Sequence, residues 1–146
     1  MSVSPVRVVL DTNVFVAAYW APHSASRRLI QACIDLTVRA VYTDDTKRET
    51  LMILKQVKLP ETYFAYLEAF WNEAERVQPG NVDTIPIDDP DDRKFLEAAA
   101  GGEADFLATN DDHLLSVGYV GRTEILSPGS LVRVLGLQPF QPPGTE

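Results

Sequence analysis

Apolar and polar positions alternate between two periods along this chain. Val6-Arg7-Val8-Val9-Leu10 is a short, β-branched and nearly continuous apolar run, which predicts a strand covered on both faces. It stops abruptly at Asp11-Thr12-Asn13. From Ser24 to Leu36 the apolar residues Leu29, Ile30, Cys33 and Ile34 recur at helical spacing, with Ser24 as the expected cap. Val38 to Tyr42 returns to strand composition. Thr43-Asp44-Asp45 then opens a helix with acids in its first turn and Leu51 to Leu54 as its apolar body. Pro60 to Glu75 predicts an amphipathic helix opened by proline and rich in aromatics (Tyr63, Phe64, Tyr66, Phe70, Trp71).

Pro79 to Pro86 is turn-rich, with a short strand expected near Ile85 to Ile87. Asp89-Pro90-Asp91-Asp92 starts a helix that runs to about Ala100 and halts at Gly101-Gly102. Ala104 to Ala108 is the next strand and ends at Thr109-Asn110-Asp111. Thr123 to Leu126 is a last short strand, and Ser127-Pro128 caps a helix to about Leu135. Strands alternating with helices predict an α/β fold, a three-layer α/β/α sandwich around a mostly parallel central sheet. We expect one domain over residues 1–136 and a proline-rich tail over residues 137–146, without internal repeats.

Composition agrees and narrows the setting. A chain of 146 residues is one domain in length, and 45% hydrophobic with 23% charged residues sits at globular averages, so neither a disordered nor a fibrous class is needed. The single cysteine, Cys33, excludes an internal disulfide framework and favours a reducing compartment. No run of eighteen apolar residues is present and the first residues lack a secretory pattern, so a soluble cytoplasmic protein is expected, with no membrane partner.

Net charge is −8, the wrong sign for a protein that grips nucleic acid through a generally basic surface. The charge is uneven, however. Between Pro22 and Pro60 seven bases stand against four acids, whereas five aspartates and no base lie between Asp83 and Asp92. Such a division suits a metal site beside a polyanion groove. Charge pattern alone favours the plainer reading, solvated helix faces and an acidic loop.

In an open parallel sheet, ligands bind beyond the carboxyl ends of the strands, where strand order reverses. Asp11 ends the first strand and Asp111 lies just past another. Asp92 falls in the first turn of the helix before that strand, and Glu49 in the helix after the strand Val38–Tyr42. All four can converge at one sheet edge. Crowded carboxylates raise one another's pKa unless a cation sits among them, and an all-oxygen set selects Mg²⁺ or Mn²⁺. One Cys and two His are too few for a zinc site, and no Gly-x-x-x-x-Gly-Lys phosphate loop occurs.

Each residue also has an ordinary structural explanation. Asp11 and Asp111 could begin turns. Asp92 at the third helical position could serve the helix dipole, worth about 0.3–1 kcal/mol. His23 and His113 read as surface or loop histidines, and Tyr19-Trp20 as core or interface. The four acids together carry more information than any one of them.

The stretch Val8-Val9-Leu10-Asp11-Thr12-Asn13-Val14-Phe15 resembles the opening motif of PIN-domain nucleases. The phrase from Asp89 through Ala99, followed by Ala104-Asp105-Phe106-Leu107-Ala108-Thr109-Asn110-Asp111, resembles the second half of the same family. The likeness runs over roughly residues 6–136 and is greatest to the toxin components of toxin–antitoxin systems. It implies that Asp11, Glu49, Asp92 and Asp111 match the four acidic metal-site positions, and that Asn13 and Thr109 match the supporting polar ones. It further implies Mg²⁺- or Mn²⁺-dependent hydrolysis of RNA, with Asp11 and Asp92 as principal ligands. Asp111 would hold a second ion or a bound water, and Glu49 would orient the attacking water or complete the shell.

Arg27, Arg28, Lys47 and Arg48 are the expected contacts to neighbouring phosphates. The likeness suggests an antitoxin protein and a homodimer, and the sequence of the aromatic helix from Pro60 to Glu75 carries more apolar residues than one face needs. Two departures stand out: His113 replaces the Asp usual two residues after the fourth acid, and Asn110 replaces a frequent Gly. Asp44 and Asp45 compete with Glu49 for the second acidic position.

Other Mg²⁺-binding folds fit less well. A receiver domain needs a lysine after its last strand, where Ser127-Pro128 stands, and a haloacid-type phosphatase needs an Asp at position 13, which is Asn. The remaining alternative is a catalytically inactive PIN-like module that binds RNA or protein.

Overall fold

The computed structural model describes residues 4–87 and 89–137. The proline-rich tail expected at the carboxyl end therefore lies almost wholly outside the described residues. Six strands form one sheet: β1 (Arg7–Leu10), β2 (Arg39–Tyr42), β3 (Glu75–Arg76), β4 (Phe106–Ala108), β5 (Tyr119–Val120) and β6 (Thr123–Leu126), in the order β3-β2-β1-β4-β6-β5. Every pairing is parallel except β5 with β6. Among the described residues seven helices surround it: α1 (Thr12–Trp20), α2 (Ala25–Ile34), α3 (Asp44–Gln56), α4 (Glu61–Glu73), α5 (Pro90–Gly101), α6 (Asp112–Val117) and α7 (Pro128–Leu135). The chain leaves β1 towards β2 on one side and returns to β4 on the other, so strand order reverses between β1 and β4.

Side-chain alternation in β1 divides the interior into two cores. Val8 and Leu10 face a cluster with Phe15, Leu29, Ile30, Leu54, Leu67, Phe70 and Leu131, under α1, α2, α3, α4 and α7. Val9 faces the opposite layer with Phe95, Leu96, Leu107 and Leu114, under α5 and α6. This is the expected α/β/α sandwich, with a buried apolar sheet at its centre.

Several local expectations need correction. α1 is a helix that the apolar pattern does not predict: Val14, Phe15 and Ala18 are buried while Val16 and Ala17, also apolar, line the open face, which erases the helical period. No strand forms at Ile85 to Ile87. That segment turns back on itself through Ile85 N–H to Val82 O and Ile87 N–H to Ile85 O. The edge strand is instead β3, fastened by Arg7, whose guanidinium meets both Glu75 carboxylate oxygens at 2.9 and 3.1 Å.

The helix stop expected at Gly101-Gly102 forms, with Gly102 as the C-cap and Gly101 as the last residue of α5. The lack of a side chain at Gly101 is required, because a Cβ there would stand 1.7 Å from Gln78 O. The aromatics of α4 are spent inside the fold. Phe70 and Trp71 pack on Phe15, Tyr63 packs on Tyr19 and donates its hydroxyl to Phe15 O, and Tyr66 carries the Arg27 guanidinium. The surplus apolar face that suggested self-association through this helix is therefore absent among its described residues.

Candidate functional site

Asp11 leaves the carboxyl end of β1 and caps α1. Its Oδ1 accepts the Thr12 N–H at 2.7 Å. Its Oδ2 accepts the Thr109 hydroxyl at 2.6 Å and the Asn13 amide at 3.1 Å. Burial pushes the pKa of this carboxyl up; the Thr109 and Thr12 bonds oppose that rise and the charge of Asp111 adds to it. The side chain is thus 93% covered yet held in one orientation. Two further bonds lash the end of β1 to the loop after β4: Asp111 N–H reaches Thr109 Oγ1 at 2.9 Å, and Asn110 N–H reaches Asn13 Oδ1 at 3.1 Å.

Asp92 approaches from α5. Asp89 caps that helix by accepting the Asp91 N–H at 2.9 Å, and Pro90 opens it, which sets Asp92 at the third helical position. Burial, followed by the charges of Asp111, Asp89 and Asp11, pushes the Asp92 carboxyl up to about 6. Asp111 caps α6 by accepting the His113 N–H at 2.8 Å. The structure thus gathers Asp11, Asp92 and Asp111 where strand order reverses.

Glu49, from α3, lines the same hollow of about 610 Å³ as these three aspartates. Its carboxylate is already engaged: Lys94 Nζ lies 3.0 Å from Glu49 Oε1 and 3.3 Å from Asp91 Oδ1. Burial raises the Glu49 pKa, Lys94 pulls it down and Asp91 pushes it up, with a net rise. Of the competing acids, Asp44 is bound by Arg76 through two 2.7 Å contacts and Asp45 by Arg48 at 2.9 Å, both exposed. Glu49 alone of the three faces the hollow.

The four bases expected beside the phosphates are not brought there. Arg27 lies over the Tyr66 ring at 4.0 Å, and Arg28 lines a separate hollow with His23 and Gln31. Lys47 sits over Tyr42 and Trp71, and Arg48 holds Asp45. None of the four lines the acidic hollow. Arg27 and Lys47 are drawn to aromatic rings and Arg48 to an exposed acid on its own helix, contacts that a count of local charge does not reveal.

Two residues were overlooked as members of the site. Lys94 had one local signal, its i,i+3 spacing from Asp91. His113, read as an ordinary loop histidine, presents a donor atom within 4.8 Å of donor atoms on Asp92 and Asp111. Asp92 and His113 also line a second hollow of about 740 Å³ with Ile85, Ile87, Ser116 and Tyr119. Asp92 therefore stands on the boundary between the two hollows.

The donor chemistry fits a hard or borderline divalent cation. Carboxylates from separate elements converge, no lysine or arginine lies among Asp11, Asp92 and Asp111 in their hollow, and one of them is pushed strongly towards its neutral form.

No curated protein matches this chain significantly. Among solved structures, the crystal structure of VapBC2 from Rickettsia felis bound to a DNA fragment from their promoter contains a chain of the same fold. The two superpose with a TM-score of 0.56 at 14% identity, over 82% of this chain and 97% of that one. The sequence profile of the PIN domain matches residues 7–113. That match runs from β1 through all four carboxylates to the first turn of α6, and the chain belongs to the PIN-domain family.

Proposed function

We propose that this protein is a Mg²⁺- or Mn²⁺-dependent endoribonuclease and the toxin of a toxin–antitoxin pair. The observation that carries this reading is the convergence of Asp11, Asp92 and Asp111 at the β1/β4 edge, with Glu49 in the same hollow and no resident base among the aspartates. A bound divalent ion would supply phosphoryl polarisation and an activated water.

The chain's own groups would do the rest. Asp11 would present its carboxylate in an orientation set by Thr109, Asn13 and Thr12. Asp92 and Asp111 would add oxygens from two other elements. Lys94 holds Glu49 until a cation or substrate competes for it. The open hollows on either side of Asp92 suit an unpaired RNA strand lying across the boundary. The toxin assignment is supported by the family and by the similarity to the VapBC2 fold. An antitoxin would find apolar footing beside the carboxylates, where Val16, Ala17, Ile53 and Val57 line the hollow and Trp20 and Met52 are exposed. A homodimer would need a surface other than the aromatic side of α4.

The test is cleavage of single-stranded RNA by purified protein with Mg²⁺ or Mn²⁺, its arrest by EDTA, and its loss in Asp11→Asn and Asp92→Asn. RNA binding without cutting by the wild type would instead favour the inactive PIN-like module.

A further inference from the structure

Asp92, Asp111 and His113 form a cluster that is not purely acidic. Each offers one donor atom, and these atoms all lie within 4.8 Å of one another. His113 is held there by its backbone. It is the second residue of α6, and its N–H is bonded at 2.8 Å to Oδ1 of Asp111, the carboxylate that caps the helix. Asp111 is in turn fixed through its own N–H by Thr109, and Thr109 also holds Asp11. A single network thus sets Asp11, Asp111 and the backbone beneath the imidazole. The imidazole is exposed and lines the same hollow as Asp92.

We propose that His113 is a nitrogen ligand of the divalent ion, which makes this an oxygen–nitrogen site that favours Mn²⁺ over Mg²⁺. Mg²⁺ demands oxygen donors and retains its waters, whereas imidazole suits first-row transition metals. Position 113 is where the family resemblance leads one to expect an Asp, and this chain places a borderline nitrogen donor there, beside the acidic set. The inference rests on the metal-dependent reading above and adds to it the identity of one ligand and the preferred ion.

The probe is Mn²⁺ alone, added to the intact protein without RNA. Mn²⁺ paramagnetic resonance separates bound from free ion, and the electron spin-echo envelope reports a directly coordinated ¹⁴N. The expected result is bound Mn²⁺ with ¹⁴N modulation, which His113→Gln and His113→Asp abolish. His113→Gln should weaken Mn²⁺ binding about tenfold or more. His113→Asp should keep an ion but narrow the preference for Mn²⁺ over Mg²⁺ in competition titrations. Bound Mn²⁺ without ¹⁴N modulation in the wild type overturns the role of His113 and leaves the carboxylate site standing. An Mn²⁺ signal that stays that of the free aquo ion overturns both.

Discussion

Thr109 joins the two strand ends that build the site: its hydroxyl donates to Asp11 Oδ2 at 2.6 Å while its oxygen accepts the Asp111 N–H at 2.9 Å. The residue is fully buried and directly follows β4 beside the end of β1, so a side chain of three heavy atoms sets the spacing of two carboxylates 100 positions apart in sequence.

Thr109→Val keeps the shape and removes both bonds. Asp11 would lose its shortest donor, and its pKa should rise further. A buried N–H at Asp111 would lose its acceptor. We expect a stability loss of about 1–3 kcal/mol by denaturant unfolding and divalent-ion affinity weakened about 10–100-fold by calorimetry. Unchanged ion affinity in a folded variant would show that Thr109 serves packing alone.

Elements with a clear period or cap were legible. Ser24, Thr43, Asp89 and Ser127 cap helices as their sequences suggest. α1 was hidden because Val14 to Ala18 are apolar on the side facing the hollow as well as on the core side, which removes the polar stripe that marks a helix. β3 was hidden because two charged residues, Glu75 and Arg76, become a strand only through Arg7, Asp44 and the edge of β2. Within the site, strand-end position pointed to Asp11 and Asp111, whereas the Glu49–Lys94 pair spans 45 positions and leaves no local trace.

Lys94→Met tests what Glu49 does. With the ammonium gone, Glu49 and Asp91 face each other without a counter-charge, and the ion-free protein should lose about 1 kcal/mol at pH 7.5. If Glu49 joins the ion's shell, Mn²⁺ should bind several-fold tighter, because Lys94 no longer competes for the carboxylate. Equal or weaker binding in calorimetric titrations would place Glu49 outside the shell.

Arg93 holds the wall of the second hollow. Its guanidinium donates to Val82 O at 3.2 Å, Ile85 O at 3.5 Å and Ile87 O at 2.7 Å. These carbonyls belong to a segment with no strand partner, so Arg93→Ala should release it. Hydrogen exchange over residues 80–87 should accelerate markedly, with a global loss of about 1–3 kcal/mol. Exchange at the wild-type rate would mean that Val82 and Ile87, both buried, anchor the segment unaided.

Asp92 supplies the sharpest pH dependence. Its folded pKa of about 6 lies above the ordinary value of 3.8, so the folded state binds the extra proton in the interval between them. The resulting stabilisation is fully present below about 3.8 and is lost as pH rises through 6. In EDTA the wild type should therefore melt higher at pH 5 than at pH 7.5. Asp11 and Glu49, whose pKa values burial also raises, act in the same direction, whereas Asp44 and Glu75, lowered by Arg76 and Arg7, lose their stabilisation towards lower pH. Asp92→Asn carries no charge to repel Asp111, Asp89 and Asp11, so its melting temperature should vary less with pH and equal or exceed the wild type's at pH 7.5. The helix dipole opposes this gain by about 0.3–1 kcal/mol, because Asp92 sits in the first turn of α5. Adding Mg²⁺ or Mn²⁺ at 100 times Kd should stabilise the wild type by about 2.7 kcal/mol and the variant far less. A variant that melts clearly lower in EDTA at pH 7.5, beside a wild type indifferent to both ions, would reduce Asp92 to a helix-stabilising residue and remove it from the metal site.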